Sequence, residues 1–353
     1  MVKENIFWNG KRVLVTGHTG FKGGWISLWL YSMGADVCGY SLEPTDENIF
    51  YKTVYKSGFL GEEIFSDVNN FTSLKKCIDN FNPDIIFHLA AQPLVLESYN
   101  NPINTFTTNI IGVVNVLESV RQLQRKPVII NVTTDKVYEN KDWLWAYREN
   151  EKLGGHDPYS ASKACAELVS HSYIKSYFGK NGPRLATARA GNVIGGGDMS
   201  ENRLVPDFLR AFKKNKVLNI RNPKASRPWQ HVLDPIFGYI TLAEKLGSSD
   251  GKNYVGSWNF GPKGDAVSVE SVIETLTKIS NGPIYKIDDS YNPHEAQSLM
   301  LDSTLARLKL GWDPKIELKS ALRWTFDWFV ESEKNTDMMN YSIKQIEKYK
   351  SIE

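Results

Sequence analysis

The chain has 353 residues, 41% of them apolar and 23% charged, with a formal net charge of +2. That is enough length for one large domain or two intimate ones, and the charge balance argues against nucleic acid or a membrane surface as partner. Cys38, Cys77 and Cys165 stand at unrelated spacings that suggest neither a disulfide framework nor a metal site, and with no spanning run or signal-peptide core the expected compartment is a reducing cytoplasm.

In chain order, "KRVLVTG" reads as a strand ending in glycine, and "WISLWLYSMG" as a helix closed by glycine. "DVCGYSL" is a second strand, "FTSLKKCIDNF" a helix terminated by Pro83, and "DIIFHLAA" a buried strand. "NTFTTNIIGVVNVLESVRQL" predicts one long amphipathic helix, and "VIINVTT" the strand after it. This alternation predicts an α/β fold with a doubly wound parallel sheet of Rossmann type. Beyond about residue 185 the rhythm loosens into a smaller, loop-rich part. Residues 1–184 are therefore expected to form the nucleotide-binding domain, with a returning segment near 231–260, and 185–353 mainly the substrate domain. "GWDPKIELKSALRWTFDWFVES" closes with another helix, and the charged tail from Glu333 with a peripheral one.

"TGHTGFKGGW" sets Gly17, Gly20 and Gly23 between the first strand and its helix. Glycines there allow a tight turn and let the backbone approach a pyrophosphate, whose charge sits on free N–H groups at the helix start. Asp36 has the sequence offset of a ribose-binding acid but lies at the wrong end of the second strand. Ser41 occupies the right end, with Glu43 beyond it. No arginine follows to meet a 2′-phosphate, which favours NAD over NADP. Asp67 is a candidate for the adenine.

"PYSASKACAEL" places Tyr159 and Lys163 four residues apart, on one helix face. A tyrosine ordinarily ionises near pH 10, and a neighbouring ammonium favours its phenolate. "NVTTDKVYEN" puts an acid and a base side by side, Asp135 and Lys136, at a strand's carboxyl end, where open α/β sheets keep their ligands.

From about Lys11 to about Trp328 the chain resembles the extended short-chain dehydrogenase/reductases that act on nucleotide sugars. The resemblance rests on "TGHTGFKG", "HLAAQ", "TTDK", "YSASK", "RAGNVIGGGD", "RPWQHVLD" and "WNFGP". Within that family the 4,6-dehydratases carry an acid after the threonine, where epimerases usually have small or hydroxylated residues. The Thr-Asp-Lys order, "GHTGFKGGW", "WLWAYRENEKLGGHDPYSASK" and "NPHEA" resemble the subgroup acting on CDP-glucose.

The resemblance implies oxidation at C4, elimination of water across C5 and C6, and return of the hydride to C6. Catalysis would fall to Thr134, Asp135, Lys136, Tyr159 and Lys163. Tyr159 would take the O4 proton, Thr134 would hold that oxygen, and Lys163 would bind the ribose and keep Tyr159 acidic. Asp135 would protonate the leaving hydroxyl, and Lys136 would be either the C5 base or an electrostatic stabiliser of the enolate. NAD would be held by Gly17, His18, Thr19, Gly20, Phe21, Lys22, Gly23, Ser41, Asp67, Leu89, Ala90, Ala91, Gln92 and Asn109, together with Tyr159 and Lys163. Asn192, Arg203, Leu204, Val205, Arg221, Arg227, Asn259 and His294 would hold the nucleotide sugar, CDP-glucose being favoured. Gln230-His231 and Glu295 are weaker candidates. Trp143, Trp145 and Tyr147 are read as a wall over the ketone intermediate or as core. A homodimer is expected through the helices "NTFTTNIIGVVNVLESV" and "SASKACAELVSHSYIKSYF". A 4-epimerase and a non-catalytic NAD sensor are the competing readings.

Overall fold

Short runs rich in Val and Ile, buried on both faces, build the centre of the molecule, which is the pattern of an all-parallel sheet covered by helices. The computed structural model describes residues 6–55, 58–179, 181–264, 266–287, 299–334 and 336–352. Seven strands form the sheet: β1 (Arg12–Thr16), β2 (Asp36–Ser41), β3 (Glu62–Phe65), β4 (Ile85–His88), β5 (Val128–Val132), β6 (Arg184–Arg189) and β7 (Gly256–Asn259). Their order is β7-β6-β5-β4-β1-β2-β3, and every pairing is parallel. This is the doubly wound Rossmann-type fold read from the sequence. The order reverses between β1 and β4, and such a switch point leaves a crevice at the strands' carboxyl ends.

Packing differs on the two faces. Leu14, Ile86 and Ile129 point into a core with the helices Phe71–Phe81 and Gly112–Arg121. Val13, Val15, Phe87 and Ile130 face a larger core with the first helix, Phe21–Ser32, and the helix Leu233–Gly247. The first helix is buried from Gly23 through Leu30. A second layer covers its outer side: Trp25 packs at a tilt against Phe50, and Trp29 meets Tyr349 of the last helix, Met338–Lys350, edge-on.

The long helix expected over residues 104–123 is interrupted. Pro102–Phe106 passes through a π turn, Thr107–Ile111, into Gly112–Arg121. The wider turn brings Asn109 inward, where its side-chain oxygen accepts from Gln92 N (2.9 Å) and its nitrogen donates to Gln92 O (3.0 Å) and Ser162 Oγ (2.8 Å). Single π turns of this kind mark functional positions. The helix Phe71–Phe81 stops one residue before Pro83, with Asn82 left-handed at φ 44°. Past β6, three short ladders organise the smaller part: Val193–Ile194 beside Gln230–His231, Ser226–Arg227 beside Val267–Ser268, and Leu218–Ile220 beside Tyr285–Ile287.

Candidate active site

A cleft of about 1030 Å³ runs along the carboxyl ends of the strands, from the glycine turn after β1 to the helix Leu204–Lys213. Gly17 takes φ +76°, and a Cβ there would lie 2.8 Å from Ala90 N, so the turn and the loop after β4 approach too closely for a side chain. The first helix begins without a side-chain cap and with no acid in its first turn. Its orphan N–H groups therefore face the cleft unopposed. Thr19 Oγ1 lies 2.6 Å from Ser41 Oγ at the end of β2, and Asp67 and Glu43 line the same end. Asp36, at the other end of β2, sits 3.8 Å from Arg12 and takes no part.

The cleft brings together Gly17, Thr19, Gly20, Phe21, Lys22, Gly23, Ser41, Asp67, Leu89, Ala90, Ala91 and Gln92 at its first end. Thr134, Asp135, Lys136, Tyr159 and Lys163 lie at its middle, with Asn192, Arg203, Leu204, Val205, Arg221 and Arg227 beyond. Three side chains expected in the site stand elsewhere. His18 is buried beneath the turn, its Nε2 3.0 Å from Glu63 Oε1 among Tyr51, Tyr55 and Phe65. Asn109 holds the Gln92 backbone from behind. Asn259 is fully buried at the end of β7, donating to Tyr147 O and Asp302 O and accepting from Tyr138 OH. A side chain so engaged is not presented to a diphosphate. His294, with Glu295, lies outside the described residues.

Nor do Trp143, Trp145 and Tyr147 wall the cleft. Tyr147 stacks on Tyr138 in a small separate core, and Trp145 is 71% exposed. Gln230 donates to Gly191 O and Phe260 O, and His231 is buried among core residues, so both support the loop rather than enter it.

The middle of the cleft is built from two elements. After β5 the chain makes a single 3-10 turn, Asp135–Val137, capped by Thr134, whose Oγ1 accepts from Lys136 N (3.4 Å) and donates to Asp135 Oδ1 (2.9 Å). Lys136 Nζ is 3.6 Å from the same Oδ1. Asp135 has no exposure, and its Oδ2 has no hydrogen-bond partner among the described residues. That oxygen rests on Gly191, where a Cβ would come within 1.9 Å of it. The helix Pro158–Tyr173 supplies the other half. Asp157 caps it, and Tyr159 and Lys163 face the turn from its first two windings.

Burial raises the Tyr159 hydroxyl above its ordinary range, while the Lys136 ammonium, a hydrogen bond with Thr134 and the Arg203 guanidinium pull it back down. Lys136 and Arg203 are thus two cations that oppose burial at the phenol. Lys163 donates to Val132 O (3.2 Å), and its burial lowers it to about 8 against the pull of Glu167. Lys22 is brought to about 7 by burial and by Arg203 and Lys163, with Asp135 and Asp198 opposing. Arg203 is held by the buried Asp198 at 2.9 Å. Four cations and two acidic side chains therefore converge on one spot, an excess of positive charge that favours an anionic ligand.

Sequence reasoning passed over Gly191, Asp198 and Glu167. The signals were present: a glycine and an acid inside the quoted run "RAGNVIGGGD", and a carboxylate one turn beyond Lys163 on the same helix face.

The parallel sheet, the glycine turn and the Tyr-x-x-x-Lys helix beside a strand-end threonine define a nucleotide-binding protein of the short-chain dehydrogenase/reductase class. Within that class, the chain belongs to the GDP-mannose 4,6 dehydratase family, whose model matches residues 14–325. It is 45% identical over 359 residues to CDP-glucose 4,6-dehydratase of Salmonella typhimurium, covering 99% of both chains. It is 26% identical to UDP-glucuronate 4-epimerase of Thermodesulfobacterium geofontis, over 90% of this chain and 96% of that one. Among solved structures, UDP-glucose 4-epimerase of Thermotoga maritima superposes with a TM-score of 0.78 at 23% identity, over 91% of this chain and 99% of that one.

Proposed function

We propose that this protein is a hydro-lyase that converts CDP-D-glucose to CDP-4-keto-6-deoxy-D-glucose and water, with NAD as a cofactor regenerated in each turnover. The observation that carries the reading is the buried Asp135, bonded to Thr134 and beside Lys136, at the sheet end that also holds Tyr159. A 4-epimerase has no leaving group at C6 and no use for that acid. Full-length similarity to a relative named for CDP-glucose supports the substrate.

The residues present fit the cofactor. The uncapped helix start, the positive-φ Gly17 and the Thr19–Ser41 pair form a cradle for a dinucleotide, and Glu43 at its end disfavours a 2′-phosphate. Bound there, NAD would supply the hydride acceptor for sugar C4 and the donor for C6. Tyr159 receives the O4 proton, and Thr134 steadies that oxygen. Once C4 is a ketone the C5 proton is acidic; with the proton of the Asp135–Lys136 pair, 3.6 Å apart, resting on the acid, Lys136 as the amine receives it while Asp135 gives its proton to O6, and water departs. Lys136 then returns its proton to C5 as the hydride arrives at C6. Thr134 donates to Asp135 Oδ1 and stands beside the Tyr159 phenol, so it lies between the phenol, which ends the step with a proton, and the acid, which must regain one. Arg203, Arg221 and Arg227 match the diphosphate.

Incubation with NAD and, separately, CDP-, dTDP-, GDP- and UDP-glucose, read by mass spectrometry, tests the reading. Loss of one water from CDP-glucose without net NADH is expected. Loss from another nucleotide instead overturns the base preference, and an isomer of unchanged mass overturns the dehydration.

We further propose a cytoplasmic homodimer. No described helix is long and apolar enough to cross a membrane, and the cysteines are unpaired. Phe106, Ile111, Leu168 and Tyr177, on the two helices expected at the dimer axis, all expose apolar side chains, and such a face calls for a partner surface. A monomer mass by light scattering at micromolar concentration would remove the dimer.

A further inference from the structure

One buried charge pair is used by none of these steps. Glu167 is 3% exposed on the helix Pro158–Tyr173, one turn past Lys163 and two past Tyr159, on the same face. Its carboxylate accepts from Thr133 Oγ1 (2.5 Å), Thr187 Oγ1 (2.7 Å), Ser257 Oγ (3.1 Å), and Arg189 Nε (2.9 Å) and Nη2 (2.8 Å). Those donors come from β5's end, β6 and β7, so one side chain joins the helix to three strands. Arg189 extends the link, donating from Nη1 to Tyr138 OH (2.8 Å) and Glu149 O (3.0 Å).

Thr133 immediately precedes Thr134, Asp135 and Lys136. The proposed chemistry needs these three and Tyr159 on one sugar ring, yet they belong to separate elements. A buried ion pair is a doubtful source of net stability, and its attested use is to specify an arrangement. We propose that Glu167 is a positioning residue: through Thr133 it fixes the Thr134–Lys136 turn against the helix of Tyr159 and Lys163, and its charge supports the Lys163 ammonium. The inference rests on the dehydratase reading for its kinetic half only. Burial pulls Lys163 down to about 8, and Glu167 is the opposing influence.

Two isosteric variants separate positioning from plain packing, since each removes one hydrogen bond to the same carboxylate. Thr133→Val, on the catalytic strand, is expected to lower kcat about tenfold at unchanged KM, because small misplacements are costly. Thr187→Val, on β6, should stay within about twofold. Equal losses in both, or none in either, overturn the positioning role. Glu167→Gln supplies a readout independent of turnover. NMR of 13Cε-lysine protein, with Lys163 assigned through Lys163→Arg, should show Lys163 titrating at lower pH than in the wild type. An unmoved titration overturns the electrostatic half. If Glu167→Gln does not fold, the threonine pair decides. If the wild-type protein dehydrates no nucleotide sugar, the activity reading falls and the Lys163 titration alone decides this one.

Discussion

Asp135 and Gly191 form the most specific contact in the site. An aspartate side chain with no exposure and one oxygen without a partner among the described residues is costly to keep unless it works. Asp135→Asn preserves the shape and removes the proton, so oxidation at C4 should proceed and elimination stall. Mixing with CDP-glucose should then build up NADH absorbance while dehydration slows by about 10²- to 10⁴-fold, the usual worth of a general acid. Turnover equal to wild type would take the acid role away. Gly191→Ala tests the seat beneath it. A Cβ 1.9 Å from Oδ2 must push the carboxyl aside, which should slow dehydration roughly a hundredfold by displacing Asp135. Combined with Asp135→Asn, Gly191→Ala should cost little more, because both act through one group. Additive losses in the double variant would show that the glycine serves something else.

At the scale of elements, the helix Pro158–Tyr173 delivers Tyr159 within its first turn, and its start is fixed by Asp157, which accepts from Ser160 N (2.9 Å) and Ser160 Oγ (2.5 Å). Asp157→Ala should cost about 1 kcal/mol by urea denaturation, the usual worth of an N-cap. If the cap also aims the phenol, kcat should fall by about tenfold; an unchanged kcat would mean that Pro158 and packing suffice. Elements of this kind were legible because period and punctuation agree: alternation set the sheet and glycine the turn. The interruption at Thr107–Ile111 was not, since nothing local in that run distinguishes a π turn from an α turn. Its cause is tertiary, the docking of Asn109 on Gln92. The short helix Ile49–Val54 and the edge strand β3, whose burial pattern is mostly exposed, carry too little periodicity to read. Asn259 was misplaced for a related reason: a polar residue at a strand's ligand end looks available until Tyr138, Tyr147 and Asp302 are seen to occupy it.

Across the whole molecule, the last helix closes over the first and so stands behind the glycine turn. Its tie is Asp234, fully buried, whose Oδ1 accepts from Tyr349 OH (3.0 Å) and Lys315 N (2.7 Å). Burial raises this carboxyl to about 6, with those hydrogen bonds opposing. An unfolded aspartate ionises near pH 3.9, so between about pH 4 and 6 the folded chain holds the extra proton. That contribution to stability is fully present below pH 4 and lost as pH rises through 6. Tyr349→Phe removes a donor that favours the charged form. Its cost should therefore be greatest above pH 6, about 1–3 kcal/mol for a hydrogen bond to a buried charge, and should shrink towards pH 4. Thermal midpoints of both proteins across that range check it. Because Tyr349 is not among the residues that line the cleft, kcat at a temperature where both are folded should be unchanged. A variant whose deficit is the same at pH 4 and pH 8 would show that the tyrosine's packing against Trp29 and Phe237, rather than its bond to Asp234, holds the last helix down.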